Sequence, residues 1–230
     1  TACLADAAQE GADSHVFLGD LVGYGPDPVY VIERVAEMAG AGALVLKGNH
    51  DAASVGDVQG LNPIARAAIL WTQDQIGPDH ARFLDELPYD YNEDDRLYVH
   101  ASASSPEDWI YIVSGREAFQ SFRATAQRIT FCGHTHQPAL FNESSSSLPH
   151  HHVPIDGRPT PLLSQRRWIA VLGAVGQPRD RNPAACYGLF DTETSRLTYV
   201  RVPYDVDVTA RKVVAQGLPE ALAKRLVSGS

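Results

Sequence analysis

Positive charge is scarce in this sequence. Its 19 Lys and Arg residues face 28 Asp and Glu residues, so the 230-residue chain carries a formal net charge of −9. Nonspecific binding to duplex DNA and binding to anionic membranes both depend on basic charge. The acidic balance therefore argues against both kinds of partner.

Cysteines and long apolar runs are also scarce. The three cysteines, Cys3, Cys132 and Cys186, are an odd and sparse set, which argues against a disulfide framework and is typical of a reducing cytoplasm. No apolar run approaches the roughly 18 residues that a membrane-spanning helix needs. We therefore expect a cytoplasmic protein without a membrane partner. The composition, 44% hydrophobic and 20% charged, suits a single globular domain over residues 1–230.

Four predicted strand ends carry side chains that can bind metal ions. A short apolar run precedes each of them and predicts a buried strand. In open α/β sheets, ligands bind at the carboxyl ends of the strands, so these four loops can converge on one site. Imidazoles, carboxylates and amide oxygens are all common metal ligands. The side chains that follow the four runs are Asp20, Asn49, His50, His100, His134 and His136.

Each of these residues has a structural alternative when it is taken alone. Asp20 and Asn49 are typical turn residues, His100 could be a core histidine, and His134 with His136 could be a surface pair. Their shared position after predicted strands favours the metal site over the separate explanations.

His50 and Asp51 follow Asn49 directly. Adjacent side chains cannot easily aim at the same atom, so we interpret His50 as a catalytic residue and not as a second ligand. Asp51 either orients the His50 ring for catalysis or only ends the loop, and the sequence leaves both open. Cys132 has no base partner in the sequence, and we interpret it as a small core residue.

Three further residues are candidates for substrate binding. Arg179 is one because a guanidinium group binds phosphate in a bidentate manner. Asn182 lies in the same loop, for which a polar surface loop is the alternative explanation. Tyr24 either forms a pocket wall or packs in the core.

The ligand segments together resemble the calcineurin-like metallophosphoesterase superfamily, and the resemblance covers the chain from near residue 4 to about residue 204. The segments at 19–26 and 176–179 are similar to a prokaryotic branch of phosphodiesterase or diadenosine-tetraphosphatase-like proteins. In chain order, the motifs that carry the resemblance are Gly19-Asp20, Gly48-Asn49-His50-Asp51, His100 and Gly133-His134-Thr135-His136.

The resemblance implies a fold and a set of ligands. The fold is a four-layer α-β-β-α sandwich of two mixed β-sheets flanked by helices, which belongs to the α/β class that the order of predicted strands and helices also favours. Two divalent cations would share Asp20, and His136 would belong to the second of them. The other ligands of the first cation would be Asn49, His100 and His134.

One motif of the family is not found in this chain. The family carries Asp-x-His at the end of a first strand, and no such strand precedes Leu4. We expect the natural protein to have an additional N-terminal strand with these two ligands. We expect the 230 residues to bind at most one metal ion tightly.

The implied chemistry is the hydrolysis of phosphate esters. Two cations would hold a water as hydroxide, and His50 would protonate the leaving oxygen as a general acid. The nitrogen and oxygen ligands suit Mn²⁺, with Fe²⁺ or Zn²⁺ as alternatives, better than Mg²⁺. The expected substrate is a small phosphodiester, and a nucleotide is one candidate.

Other functions stay open at this point. Within the same chemistry, the alternatives are a phosphomonoesterase, a protein phosphatase and a diadenosine tetraphosphate hydrolase. A different class is a noncatalytic phosphate-binding or regulatory protein with a degenerate metal site. The absent Asp-x-His favours this class, and the intact Asn49-His50-Asp51 disfavours it.

Two local features of the sequence predict a loop and the start of a helix. The segment 144–161 is rich in Ser, Pro and His and is interpreted as an exposed loop. Ser114 and Glu117 have the spacing of a capping box and predict the start of a helix.

Overall fold

The computed structural model describes residues 1–143 and 148–230. Within these ranges, no helix is both long and apolar enough to cross a membrane. The helices are α1 (Ala2–Gln9), α2 (Pro28–Gly40), α3 (Asn49–Val55), α4 (Pro63–Gln75), α5 (Pro78–Asp85), α6 (Gly115–Ala124), α7 (Val206–Ala215) and α8 (Glu220–Ser228). The strands are β1 (Val16–Phe17), β2 (Leu44–Val45), β3 (Asp90–Glu93), β4 (Arg96–Val99), β5 (Ile129–Cys132), β6 (Ala139–Asn142), β7 (His150–His152), β8 (Thr160–Pro161), β9 (Trp168–Val171), β10 (Ala185–Asp191) and β11 (Arg196–Val202).

These strands form one large sheet and two small ones. The large sheet has the order β3-β4-β5-β9-β6-β7, in which β4, β5 and β9 are parallel neighbours and the remaining pairs are antiparallel. A second, antiparallel sheet has the order β10-β11-β8. The strands β1 and β2 pair in parallel.

Both small sheets lie on the same face of the large sheet. Side chains alternate between the two faces of a strand, and in β5 this sends Phe131 to one side and Cys132 to the other. Phe131 shares a buried cluster with Leu46 after β2 and with Leu197 and Tyr199 of β11. The two small sheets therefore make up one layer of the core.

Helices cover the outer faces of both β-layers. Cys132 packs towards α6 through Phe122, while α2 and α5 cover the β1–β2 pair and α1 covers β10 and β11. The predicted four-layer α-β-β-α sandwich is confirmed. The second β-layer differs from the prediction, because its hydrogen-bonded strands form two separate sheets.

Parallel pairing brings the predicted ligand segments to one edge. His100 directly follows β4 and His134 follows β5, and the Gly133 N–H donates to the His100 carbonyl oxygen over 2.9 Å. In the same way β1 leads to Asp20 and β2 leads to Asn49.

Part of the segment predicted as a loop at 144–161 forms strands. Its residues 144–147 lie outside the described part of the chain. His150–His152 forms β7 on the edge of the large sheet and pairs with β6, while Thr160–Pro161 forms β8. A sheet edge presents unpaired backbone groups that an adjacent extended segment can bind, whatever its side chains. The three histidines of β7 are exposed, as expected.

The predicted capping box starts α6. Ser114 is the N-cap, and its Oγ accepts the N–H of Arg116 over 3.2 Å. The Glu117 carboxylate accepts the N–H of Ser114 over 2.9 Å. Hydrogen bonds from Ser114 hold the pKa of Glu117 below its ordinary value.

We expect Ser114→Ala to lower the free energy of unfolding by about 1 kcal/mol, the usual effect of losing a side-chain cap. The contribution of the Glu117 carboxylate to the free energy of unfolding should be present above the unfolded-state pKa of about 4.3. It should be lost as the pH falls through the lower folded-state pKa. Urea unfolding of both proteins at several pH values between 7 and 3 measures this.

The control is Ser164→Ala, which removes an exposed serine outside any helix cap. If Ser114→Ala and Ser164→Ala lower the free energy of unfolding by the same amount at pH 7, the capping role of Ser114 is contradicted.

Candidate metal centre

His100 is the middle of the site, and a backbone carbonyl fixes its tautomer. Its Nδ1 lies 2.6 Å from the carbonyl oxygen of Leu18, just after β1. A carbonyl oxygen can only accept, so Nδ1 carries a proton and donates it. In neutral His100, the Nε2 atom therefore carries the lone pair, and this lone pair points away from Leu18.

Three further polar atoms surround this lone pair. The Nε2 atom of His100 lies 3.2 Å from Asn49 Oδ1, 3.1 Å from His134 Nδ1 and 3.4 Å from Asp20 Oδ2. The ligand atoms of Asp20, His100 and His134 all lie within 4.8 Å of one another. These four nitrogen and oxygen atoms converge in a largely buried place, where a shared positive charge would stabilise them. The nitrogen and oxygen donors fit one divalent transition-metal cation.

The ionisation of these groups agrees with that fit. Burial lowers the pKa of His134 to about 3, and His100 adds to the effect, so His134 is a neutral ligand. Burial opposes ionisation of Asp20, but the charges of His100 and His50 outweigh burial and hold the pKa of Asp20 below its ordinary range. Burial alone would lower the pKa of His100. The Asp20 carboxylate raises this pKa, and the net shift is upward. The Asp20 charge thus favours a positive charge at this position, which a divalent cation would supply.

The backbone is strained at this site. Asp20, His134 and His136 have φ of 56°, 64° and 61°, a left-handed conformation that costs a residue with a side chain free energy. Glycines allow the first two loops to touch: a Cβ on Gly19 would lie 2.5 Å from the nitrogen of Gly48, and one on Gly48 would lie 2.2 Å from the nitrogen of Asp20. Larger residues would separate the two loops.

Asp51 holds these two loops together. Its carboxylate accepts the N–H groups of Gly48, Asp20 and Leu21 over 2.8, 2.8 and 2.9 Å. Burial and the Asp20 charge raise the pKa of Asp51, while the three N–H donors favour its carboxylate form. Asn49 to Asp51, expected in a loop, form the first turn of α3 because Asp51 binds the N–H of the N-cap Gly48.

His50 is buried beside the four ligand atoms. Its backbone N–H donates to Asp20 Oδ1 over 2.9 Å, and its ring centre lies 4.3 Å from that of Tyr24. Its Nδ1 is buried without a hydrogen-bond partner among the described residues, so Asp51 does not orient the ring as one prediction had it. A Cβ on Gly23 would lie 2.3 Å from this Nδ1, so the backbone of Gly23 holds the ring instead. Burial lowers the pKa of His50.

His136 lies beside the four-atom cluster and not in it. Its Nδ1 donates to the carbonyl oxygen of Gln177 over 2.6 Å, which leaves Nε2 as the lone pair. Burial lowers the pKa of His136 to about 4, and Arg179 lowers it further. The Tyr24 ring lies 6.4 Å from that of His136 in an edge-to-face arrangement, so Tyr24 packs between His50 and His136.

Two of the three substrate-binding candidates lie at the site. The guanidinium carbon of Arg179 is 5.7 Å from the Tyr24 ring centre, and its Nη2 donates to Gln177 Oε1 over 3.2 Å. Asn182 has a different role: its Oδ1 accepts the N–H of Ala184 over 3.1 Å, as turn-forming asparagines do. Its backbone packs against Gly229 after α8, where a Cβ would lie 2.7 Å from the Asn182 nitrogen.

Two aromatic residues of the site were missed in the sequence. The Trp109 ring meets His100 edge to face at 5.7 Å, and the Tyr111 ring stacks on His134 at 3.9 Å and 29°. Trp109 has a left-handed φ of 54°, which turns the loop towards the site. The only signal is a run of aromatic and apolar residues, at 109–113, in a loop between β4 and α6.

Cys132 agrees with its interpretation as a core residue. It is fully buried against α6, and burial raises the pKa of its thiol to about 12. A thiol in this state is not a nucleophile at neutral pH.

Comparison with known proteins supports the same kind of site. A profile of the calcineurin-like phosphoesterase superfamily domain matches residues 1–195. An uncharacterized protein, MJ0912, of Methanocaldococcus jannaschii is 31% identical over 234 residues, which covers 99% of this chain and 91% of the relative.

Two solved structures are similar as well. The crystal structure of a metallophosphoesterase from Sphaerobacter thermophilus is 38% identical with a TM-score of 0.89, and the match covers 100% of this chain and 93% of that one. The hypothetical protein PH1004 from Pyrococcus horikoshii shares the fold at 18% identity, with a TM-score of 0.78 over 99% of this chain and 90% of that one. The chain therefore belongs to the calcineurin-like phosphoesterase superfamily, and it is a metal-dependent hydrolase of phosphate esters.

Proposed function

We propose that the enzyme hydrolyses small phosphodiesters, with His50 as the general acid and Mn²⁺ as the native metal. The observation that carries the proposal is the convergence of Asp20, Asn49, His100 and His134 beside a buried histidine that is not one of the four ligands.

These four side chains would hold the first cation. We further propose a second cation, shared through Asp20 and held by His136, whose Nε2 lone pair is left free by the Gln177 carbonyl. Asp20 and His136 are fewer than the three or more protein ligands of a typical catalytic site, so the described residues favour tight binding at the first site. Divalent cations supply Lewis-acid chemistry and a nucleophile at neutral pH when they are bound. The mixed nitrogen and oxygen ligands favour Mn²⁺, Fe²⁺ or Zn²⁺ over Mg²⁺.

His50 would protonate the leaving oxygen. Burial lowers the pKa of His50, but the Asp20 charge raises it against this larger effect and so favours the protonated ring that this role needs. His50 follows Asn49 directly in the first turn of α3, and its N–H donates to Asp20, so its ring is fixed next to two ligands. Tyr24 and Gly23 confine the ring on its other sides. Proton transfer needs a donor that is held in a fixed position, and this confinement fixes the ring.

Arg179 would bind the non-reacting phosphate oxygens. Gln177 and the Tyr24 ring hold its guanidinium beside His136. A guanidinium group offers paired N–H donors that match a phosphate group.

The preference for diesters rests on the likeness of segments 19–26 and 176–179 to the phosphodiesterase-like branch. These segments contain Tyr24 and Arg179, which line the side of the site near His136. We also propose a cytoplasmic location, because the three cysteines are free and buried, as is usual in a reducing compartment.

Metal dependence is the first test of the proposed function. Chelation should abolish the hydrolysis of bis(p-nitrophenyl) phosphate, because His100 and its three neighbours bind a phosphate only through a cation. Added Mn²⁺ should restore the activity better than Mg²⁺. The rates are measured with p-nitrophenyl phosphate as the monoester comparison. Full activity in excess chelator after exhaustive dialysis would contradict the mechanism.

The second test separates the ligand from the acid. Asp20→Asn should lose both bound metal and activity, because the amide removes the negative charge. His50→Ala should keep its metal content and lose roughly 10²–10⁴-fold in kcat, the usual contribution of a general acid. The loss should shrink for a leaving group that is already a stable anion. Metal loss from His50→Ala in proportion to its loss of activity would make His50 a ligand.

The third test compares the two residues of the loop after β9. Arg179→Ala should raise KM roughly tenfold or more, in line with the loss of a charge-assisted hydrogen bond. Asn182→Ala is the matched control, since its side chain serves a turn, and its KM should stay within twofold of the wild type. Equal changes in KM for the two variants would exclude a specific role for Arg179.

A further inference from the structure

The loop before α6 presents an aromatic ring at the mouth of the metal centre. Ile112 is buried in the core cluster that contains Phe122, which anchors the loop on the outer face of the large sheet. The residues on either side of it point towards solvent: Tyr111 and Val113 are 47% and 65% exposed. The anchor therefore fixes the direction of the Tyr111 ring.

One face of the Tyr111 ring is occupied, yet the residue as a whole remains half exposed. The occupied face stacks on the ligand His134, with ring centres 3.9 Å apart. Because His134 covers that face, we assign the exposed fraction of Tyr111 to the face that points away from His134. Trp109 holds the loop from the other side through its edge-on contact with His100. An aromatic platform with a fixed orientation thus lies one ring away from the candidate cation.

We infer that the open face of Tyr111 stacks with the nucleobase of a nucleotide substrate. The inference rests on the proposed function and names the substrate class. A flat ring with one open face selects a planar aromatic partner, because stacked rings gain more than the burial of their area alone. Stacked ring centres lie about 4.5–7 Å apart, so a base on Tyr111 stays close enough to His134 for a sugar to join it to a phosphate at the cation.

The positions of the charged Arg179 and of Tyr111 agree with this orientation. Arg179 lies beside His136 and Tyr24, while Tyr111 lies on His134. The phosphate would therefore face Arg179, and the base would face the uncharged loop at 109–113. Stacking also suits an acidic protein, since a chain with a net charge of −9 does not attract an anionic nucleotide by its overall charge.

The experiment uses the Mn²⁺-loaded protein and two diesters with the same leaving group. The nucleoside substrate is the p-nitrophenyl ester of thymidine 5′-monophosphate, and the reference is methyl p-nitrophenyl phosphate. The measured quantity is the ratio of their kcat/KM values. Tyr111→Ala should lower this ratio roughly tenfold, the scale of losing one base stack. Metal content is measured for every variant, because Tyr111 touches the ligand His134.

Two variants keep the comparison specific. Tyr111→Phe retains the ring and should keep the ratio within twofold of the wild type. Tyr30→Ala removes a tyrosine that is 51% exposed on α2, in the outer helical layer, and should leave both rates unchanged. An unchanged ratio in Tyr111→Ala would overturn the inference, and so would an equal fall in Tyr111→Phe, which would assign the effect to the hydroxyl group.

Two further outcomes are informative. If bis(p-nitrophenyl) phosphate loses as much as the thymidine ester in Tyr111→Ala, the platform binds any aryl ring and the nucleobase assignment is wrong. If the wild type hydrolyses none of these esters, the proposed function fails. Stacking on Tyr111 is then tested separately, by measuring binding with calorimetry. In that case thymidine 5′-monophosphate should bind more tightly than methyl phosphate, and Tyr111→Ala should remove the difference. Equal binding in the wild type would contradict the platform as well.

Discussion

The arrangement of the whole site depends on the close contact of four nitrogen and oxygen atoms that can each bind a cation. The Nε2 atom of His100 faces oxygen and nitrogen atoms from three other segments. The carbonyl oxygen of Leu18 accepts the proton on Nδ1 and so prevents the ring from moving this proton to Nε2. Buried acceptors that face each other repel unless a cation or a proton lies among them. The protein holds them together in advance, so that a cation finds its ligands already placed.

The rest of the fold stabilises that contact. Parallel strands deliver the ligands to one edge, and the carboxylate of Asp51 binds the backbone of both of the first two loops. Gly19 and Gly48 allow these loops to touch where a side chain would not fit. The left-handed conformations of Asp20, His134 and His136 cost free energy, which the buried layers around Phe131 and Phe122 offset. Carbonyl groups of Leu18 and Gln177 set the tautomers of two histidines, as partners beyond the ligands commonly do in metal sites.

The convergence of the proposed ligand segments could be predicted from the sequence, because a strand followed by a metal-binding side chain is a local pattern. Apolar runs mark the strands, and the rule that ligands bind at carboxyl ends of strands brings Asp20, Asn49, His100 and His134 together without any knowledge of distances. Both capping residues of α6 were also predicted, since a capping box is local. The start of α3 was missed because Asp51 binds backbone N–H groups about 30 residues away as well as its own N-cap. The role of Tyr111 depends on which loops touch, and no spacing in the sequence encodes that.

Anomalous diffraction from crystals of the Mn²⁺-loaded protein would test the central claim most directly. The account predicts the strongest anomalous peak at about 2.0–2.3 Å from four atoms, the range for first-row cations. These atoms are Asp20 Oδ2, Asn49 Oδ1, His100 Nε2 and His134 Nδ1. A strongest peak elsewhere, for example on the exposed histidines of β7, or a peak that only one or two of the four atoms reach, would contradict it.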